Sequence, residues 1–202
     1  MWVVKIGGSL MSAPELKHWL DIFVRFSEGQ VILVPGGGIF ADAVREAQLQ
    51  TGISDVMAHQ LAVKSMDQYG LLLTALNPAI AIASTELEIA ERTWQHRAIL
   101  WLPSHMVLAD EEIPKNWDMT SDSLAAWLAN KIEAEYLVLL KSHRPKSASL
   151  SQLVIDNVVD GCFTKSVKNK IFSSWILSKE DYVHFEKGLF VEKLRQIAIK
   201  VE

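Results

Sequence analysis

Two glycine-rich turns of the sequence are suited to bind anionic oxygen atoms. One turn follows a predicted strand that contains a lysine near its end, and the other follows an apolar strand. Lys5 lies near the end of a β-branched stretch, and Pro35 closes a second apolar stretch thirty residues later. The glycines of the two turns are Gly7, Gly8, Gly36, Gly37 and Gly38. Glycine lets a backbone N–H approach a ligand closely, and a helix that follows adds the positive end of its dipole. The pattern predicts a cradle for phosphate or carboxylate oxygens.

A second group of polar residues lies further along the chain. Thr120, Ser121 and Asp122 open a predicted helix over 121–132, with Ser121 or Asp122 as its N-cap. Lys141 follows the strongly apolar stretch 136–140. Each of these positions lies beside the expected end of a strand or the start of a helix, as the two glycine turns do.

The elements that would position these residues alternate between strand and helix. Short apolar runs predict strands over 2–6, 31–34, 80–83, 98–102 and 136–140. Helical periodicity predicts helices from Pro14 to Gly29 and over 39–50, 55–76 and 85–93. This order predicts an α/β fold with a mainly parallel sheet and helices on both faces. Ligands of such sheets bind at the carboxyl ends of the strands, where Lys5, the glycine turns, Thr120 and Lys141 would converge.

The C-terminal third of the sequence is less periodic. Residues 103–117 are predicted to form a long loop, and 142–151 a polar one. We expect an extended segment over 154–159, a basic helix over 164–177, a strand over 182–185 and a final helix over 190–199.

The composition limits the class of protein. The chain has 202 residues, half of them hydrophobic, which is enough for one large or two small domains. A net charge of −4 argues against a nucleic-acid or membrane-surface binder. Cys162 is the only cysteine, no signal peptide is recognisable, and no apolar run reaches the length of a membrane span. We therefore expect a cytoplasmic protein, with no nucleic-acid or membrane partner.

Three interpretations of the glycine turns compete. A P-loop is excluded, because no GxxxxGK string followed by Ser or Thr occurs. A dinucleotide fingerprint could use Gly36, Gly38 and Ala41, with Asp55 as the acidic residue. However, Asp55 should then end a strand, whereas 41–50 and 55–76 have helical periodicity. The third interpretation uses both turns and a lysine to hold a phosphate chain from end to end.

Together, the motifs resemble those of the amino-acid kinase superfamily, which includes acetylglutamate, aspartate, uridylate and isopentenyl-phosphate kinases. The three matching stretches are 4–9, 34–38 and 120–126, and they occur in the family order. The resemblance implies a three-layer αβα sandwich in a single domain. Residues 1–118 would form its acceptor-binding half and residues 119–202 its nucleotide-binding half. It also implies transfer of the γ-phosphoryl group of ATP, with Mg²⁺, to a small acceptor.

The resemblance also implies roles for individual residues. Lys5 would neutralise the transferring group, and Asp122 would orient lysine side chains at the centre. The acceptor would be held by Gly7, Gly8, Gly36, Gly37, Gly38, Thr120 and Ser121. The nucleotide would be held by Ser9, Lys141, Ser142, Asp160 and Lys165, with Lys168 as the alternative to Lys165. The sequence departs from the family pattern at residues 141–146, where relatives usually have an aspartate-glycine turn.

Within the superfamily, the pattern is most similar to the small furan-methanol phosphate kinases of methanofuran-type cofactor synthesis. The supporting features are the short chain, the run 34–42 and the run 117–122. This similarity implies a phosphomonoester acceptor and a homo-oligomer. A uridylate kinase, a carboxylate kinase and a non-catalytic ATP-binding or metal-storage protein are the alternatives. The histidines show no spacing typical of metal ligands, so we expect no protein metal site.

Overall fold

The computed structural model describes residues 1–168 and 170–202, and within them the chain forms seven strands and nine α-helices. The strands are β1 Trp2–Ile6, β2 Val31–Pro35, β3 Ala81–Ala83, β4 Ile99–Trp101, β5 Tyr136–Lys141, β6 Ser173–Ser178 and β7 Ile199–Lys200. The helices are α1 Glu15–Phe26, α2 Gly38–Thr51, α3 Asp55–Leu76, α4 Glu86–Trp94, α5 Ser104–Ala109, α6 Ser121–Lys131, α7 Leu150–Ile155, α8 Phe163–Val167 and α9 Val191–Ile197.

The strands form one sheet in the order β3-β4-β2-β1-β5-β6-β7. All neighbours pair in parallel except β7, which is antiparallel to β6. The predicted mainly parallel α/β fold is therefore confirmed. Strand β1 lies at the centre, and Ile6 pairs with Pro35 of β2 on one side and Leu140 of β5 on the other. The carboxyl ends of these three strands consequently meet at one edge, where the polar residues of the sequence analysis cluster.

Two hydrophobic cores cover the two faces of the sheet, because successive side chains of a strand point to opposite faces. Val3 of β1 and Leu137 and Leu139 of β5 face one core, which also contains the apolar side of α6. Val4 and Ile6 of β1 face the other core, which contains α1. Lys5 has the same parity as Val3, and Lys141 the same parity as Leu139. Both lysines therefore lie on the face that α6 covers.

The C-terminal third differs from several predictions. The predicted extended segment 154–159 begins within α7, and the predicted strand 182–185 lies largely in a 3₁₀-helix, Lys179–His184. The predicted basic helix 164–177 is wrong in its second half, because β6 occupies Ser173–Ser178. Asn169, inside that predicted helix, lies outside the described residues.

Tertiary pairing explains the error at β6. Trp175, Ile176 and Leu177 are all buried, since β6 lies between β5 and β7 and is covered on both faces. A strand covered on both faces has no alternating pattern by which its sequence could reveal it. Two smaller differences are α5, inside the predicted loop 103–117, and the last helix, which ends at Ile197 and gives way to β7.

Candidate active site

Two lysines share one buried carboxylate at the carboxyl ends of the central strands. Lys5 Nζ lies 2.9 Å from Asp122 Oδ1, and Lys141 Nζ lies 2.7 Å from Asp122 Oδ2. The side chains of Lys5 and Asp122 are each 7% exposed and that of Lys141 is 15% exposed. Lys141 also donates a hydrogen bond to the carbonyl of Val158. The structure thus brings together Lys5, Asp122 and Lys141, three of the residues that the sequence analysis selected.

Strand parity and one helix explain how these three side chains meet. Lys5 pairs in register with Leu139, two residues before Lys141 on the neighbouring strand. Both lysines project to the face on which α6 packs, and Asp122 lies in the first turn of α6. The carboxylate therefore enters between the two ammonium groups from above the sheet.

The charges of this group do not cancel. Burial alone would raise the pKa of Asp122, but Lys141 and Lys5 together hold it below its ordinary value. Burial lowers the pKa of Lys141 to about 8, although Asp122 opposes this shift, and the charge of Lys5 lowers it further. At neutral pH the group carries two ammonium charges against one carboxylate. A buried excess positive charge favours an anionic ligand beside it.

The N-terminus of α6 is held by a carboxylate from a distant part of the chain. Asp160 Oδ2 accepts hydrogen bonds from the Thr120 amide at 3.1 Å, the Thr120 hydroxyl at 2.7 Å and the Ser123 amide at 3.0 Å. The Ser123 hydroxyl donates to Asp160 Oδ1. A carboxylate at a helix N-terminus pairs its free N–H groups and suits its dipole.

The predicted capping of α6 by Ser121 or Asp122 is therefore wrong. Thr120 holds the N-cap position, its side chain makes no capping bond within the helix, and Asp160 supplies the acceptor. Asp122 is consequently free to contact the lysines. The nucleotide contact predicted for Asp160 stays a prediction, and its observed partners give it a positioning role at α6.

The two glycine turns pack against each other backbone to backbone. A Cβ atom on Gly8 would lie 2.5 Å from the Gly38 nitrogen, and one on Gly36 would lie 2.6 Å from the Gly8 nitrogen. Gly38 also has a left-handed φ of 54°. Any side chain at Gly8 or Gly36 would push the turns apart, which explains why glycine occupies both turns.

A cleft of about 610 Å³ opens beside these turns. Among the predicted site residues, its walls include Gly8, Ser9, Gly37, Gly38, Thr120 and Ser121. Its apolar wall includes Met11, Ile39, Val63, Met66, Met119 and Leu124. The 14-residue helix α2 begins at this cleft and points its first, unpaired N–H groups and positive dipole end at it. The cleft thus combines the N-terminus of a helix at one end with an apolar body.

Side-chain contacts between α2 and the segment before α6 border the cleft. The Arg45 guanidinium stacks 4.4 Å from the centre of the Trp117 ring, and Arg45 is also paired with Asp42 at 2.9 Å. The Trp117 indole N–H donates to Gln48 Oε1 at 2.7 Å. Sequence reasoning did not select Trp117 or Gln48, because only the fold brings residue 117 to α2.

His59 of α3 also lines the cleft and was not selected. The residue is 3% exposed, and neither ring nitrogen has a hydrogen-bond partner among residues 1–168 and 170–202. Burial lowers the pKa of His59, the Met119 backbone opposes this shift, and the charge of Lys115 lowers the pKa further, so the imidazole is neutral at pH 7.

Eight of the predicted site residues lie outside the cleft lining. Four of them, Lys5, Asp122, Lys141 and Asp160, form the contacts described above. Gly7 and Gly36 use their amides within the sheet edge, donating to the carbonyls of Leu140 and Ile6. Ser142 follows Lys141 and is half-buried, whereas Lys165 is exposed on α8, which packs against α6. The prediction that Gly36 presents its N–H to a ligand is therefore wrong.

Metal-binding clusters and long apolar helices are both absent from the described part of the chain. No group of three or more His, Cys, Asp or Glu side chains in residues 1–168 and 170–202 is arranged to hold a metal ion. None of the helices formed by these same residues combines the length and apolar character needed to cross a membrane.

The parallel sheet, the interlocked glycine turns and the shared carboxylate belong to an α/β protein with a polar candidate site at the carboxyl ends of its central strands. Comparison makes this more specific: the profile of the amino acid kinase family matches residues 1–143, and the chain belongs to that family. A curated relative, "[5-(aminomethyl)furan-3-yl]methyl phosphate kinase" of Methanocaldococcus jannaschii, is 29% identical over 140 residues. The match covers 69% of this chain but only 64% of the relative.

Solved structures share the fold. Uridylate kinase from Archaeoglobus fulgidus aligns with a TM-score of 0.66 at 19% identity, covering 93% of this chain and 97% of that one. Aspartate kinase from Synechocystis aligns with a TM-score of 0.65 at 13% identity, covering 89% of this chain and 38% of that one. These alignments agree with the three-layer sandwich that the motifs implied.

Proposed function

We propose that this protein is an ATP-dependent kinase that transfers the γ-phosphoryl group to a small phosphomonoester and produces a diphosphate ester. The observation that carries the proposal is the buried Lys5–Asp122–Lys141 group, which has one positive charge in excess. It lies at the strand ends from which both glycine turns start. Phosphoryl transfer needs mainly positioning and neutralisation of spread negative charge, and this arrangement supplies both.

In the proposed reaction, an oxygen atom of the acceptor phosphate attacks the γ-phosphorus of ATP. The bond from the γ-phosphorus to the bridging oxygen breaks, and ADP leaves with the electron pair. Lys5 neutralises the oxygens of the transferring group, and Asp122 keeps the Lys5 ammonium in place. Mg²⁺ is expected to enter with ATP, since Mg²⁺ is usually held through substrate phosphates.

The acceptor is proposed to lie in the 610 Å³ cleft, with its phosphate at the N-terminus of α2 and the glycine turns. The apolar wall suits a flat or aliphatic body. The relative's printed name supplies a specific candidate, [5-(aminomethyl)furan-3-yl]methyl phosphate. This acceptor agrees with the furan-methanol phosphate similarity of the motifs and would place the reaction in methanofuran-type cofactor synthesis.

The nucleotide is proposed to bind on the other side of the shared carboxylate. Strands β1 to β4 come from residues 1–118 and β5 to β7 from residues 119–202, so the sheet itself is divided at β1 and β5. This division supports an acceptor half and a nucleotide half. The proposed nucleotide residues are Ser9, Lys141, Ser142, Asp160 and Lys165, of which Ser9 also lines the cleft.

We further propose that the protein acts in the cytoplasm, where ATP is supplied, and as a homo-oligomer. Support for self-association comes from large apolar side chains that α2 and α3 leave exposed. They are Leu49, Val56, Met57 and Leu61. Sedimentation of the purified chain tests this proposal, and a single monomeric species would contradict it.

An acceptor panel tests the proposed function. ADP release would be measured with the furan-methyl phosphate, UMP, isopentenyl phosphate, acetylglutamate and aspartate, each with MgATP. We expect the highest kcat/KM with the furan-methyl phosphate and no turnover with the two carboxylates. Turnover with a carboxylate acceptor alone would overturn the proposal of a phosphomonoester acceptor, but the protein would still be a kinase.

A further inference from the structure

His59 is a buried side chain that makes no hydrogen bond of normal geometry, although the Met119 backbone lies near enough to raise its pKa. Both ring nitrogens are shielded from solvent, and within the described ranges 1–168 and 170–202 neither has a partner. Leaving such a group unpaired is unfavourable by the full cost of removing it from water. An apolar residue of similar size would fill this position at lower cost, so the fold alone does not account for a histidine.

The position of His59 on α3 places it in the wall of the cleft. His59, Ala62, Val63 and Met66 follow the i, i+3, i+4, i+7 spacing of one helix face, and all four line the cleft. The three other side chains of this stripe are apolar. His59 is thus the one polar position on the face that α3 turns to the cleft.

The position along α3 separates His59 from the reacting centre. The Tyr69 hydroxyl lies 3.5 Å from the Gly7 carbonyl, beside the strand end that carries Lys5. Ten residues of helix separate His59 from Tyr69, which is about 15 Å along the axis. His59 therefore lies beside the body of a ligand whose phosphate is held at the glycine turns.

We propose that His59 is a specificity-determining residue, which binds a hydrogen-bonding substituent on the acceptor body, such as an amine or a hydroxyl. This inference rests on the proposed function, because it assumes an acceptor in this cleft. A neutral imidazole offers one N–H donor and one lone pair. It can therefore accept a hydrogen bond from an amine, and it can either donate a hydrogen bond to a hydroxyl or accept one from it. Rotation about the soft Cβ–ring torsion brings a nitrogen into the cleft when the acceptor is bound.

The consequence is selection against purely apolar phosphate esters. An acceptor without the substituent leaves the imidazole buried and unpaired in the complex, whereas an acceptor with it satisfies the group. Sites built to hydrogen-bond a substituent discriminate far more strongly than apolar pockets do.

The test compares two probes that differ in one group: [5-(aminomethyl)furan-3-yl]methyl phosphate and (5-methylfuran-3-yl)methyl phosphate. Dissociation constants by calorimetry and kcat/KM would be measured for wild type, His59→Leu and His59→Gln. His105→Leu, at an exposed histidine of α5, is the control. We expect wild type to prefer the amine-bearing probe by about 10- to 100-fold. We expect His59→Leu to lose this preference while binding the methyl probe normally, and His59→Gln to retain part of it.

The melting temperature separates recognition from a structural role. Removing an unpaired buried polar group should raise the Tm of His59→Leu without ligand by about 2–4 °C. A lower Tm, or an equal loss of affinity for both probes, would overturn the proposal. Binding of both probes with the expected preference but without phosphoryl transfer would overturn the proposed function and leave the role of His59 intact. No binding of either probe to wild type would overturn both.

Discussion

Lys141 Nζ lies 2.7 Å from Asp122 Oδ2, yet the pKa of Lys141 is lowered, from 10.5 to about 8. Burial and the neighbouring Lys5 charge outweigh the carboxylate. Lys141 therefore holds its charge below about pH 8 and loses it above.

If the charge of Lys141 contributes to phosphate binding, kcat/KM should fall above about pH 8, approaching tenfold per pH unit, because kcat/KM reports groups of the free enzyme. Lys141→Arg should remove this alkaline limb, since a guanidinium stays charged. A pH profile of kcat/KM for both proteins checks the prediction. An identical alkaline limb in Lys141→Arg would assign it to another group.

Stability should change in the opposite direction over the same pH range. Between about pH 8 and 10.5, the folded chain has lost the Lys141 proton while the unfolded chain retains it. The contribution of this group to the free energy of unfolding therefore rises with pH. Urea unfolding of wild type and Lys141→Met from pH 7 to 10 measures this contribution. A difference between the two proteins that does not depend on pH would contradict the lowered pKa.

Replacement of Lys5 should affect turnover far more than folding. Lys5→Met keeps the volume and leaves Asp122 paired with Lys141, so no buried charge loses its only counter-charge. Loss of a transition-state charge partner should lower kcat by about 10²- to 10³-fold. Rate and melting curve would be measured together. The control is Lys131→Met, at a surface lysine of α6 that pairs with Glu86. A folded Lys5→Met with wild-type kcat would remove Lys5 from the mechanism.

Replacement of Asp122, in contrast, should strongly lower the stability of the folded chain. Asp122→Asn leaves two buried ammonium groups without their counter-charge, which should lower the free energy of unfolding by about 3–5 kcal/mol. Inorganic phosphate should restore part of the loss, because a bound anion supplies negative charge. Urea titration with and without phosphate checks this, with the exposed Asp156→Asn as control. A loss below about 1 kcal/mol would show that the lysines do not depend on Asp122.

The glycine turns give a structural prediction. Gly8→Ala would force a Cβ to within 2.5 Å of the Gly38 nitrogen, so the turns must separate and the acceptor cleft must change shape. We expect acceptor KM to rise by at least about tenfold, with a lowered Tm. Gly161→Ala is the matched control, since its Cβ would meet nothing closer than 3.4 Å. Equal behaviour of the two variants would contradict the observed packing.

The central part of the site was predictable from sequence for a physical reason. Lys5 and Lys141 end short apolar strands, and the glycine turns follow strands whose composition is unambiguous. The parallel arrangement then brings these ends together. Asp122 was selected through its motif, and the structure adds the contact with both lysines.

Other parts of the site depend on tertiary contacts that no local signal reveals. Asp160 caps a helix forty residues earlier in the chain, and Trp117 reaches α2 from the segment before α6. His59 lies on the predicted face of α3, but its lack of partners is a property of the assembled cleft. The segment over 173–178 became a strand because β5 and β7 pair with it, which overrode the helical interpretation.

The proposed reaction joins the γ-phosphoryl group of ATP to a phosphomonoester. Phosphorus NMR of the protein with MgATP and [5-(aminomethyl)furan-3-yl]methyl phosphate observes the new bond directly, with Lys5→Met as the control for contaminating kinases. We expect two coupled diphosphate resonances that grow in equal amount with ADP and are absent with Lys5→Met. An unchanged acceptor resonance, with ATP either intact or hydrolysed only to inorganic phosphate, would contradict it.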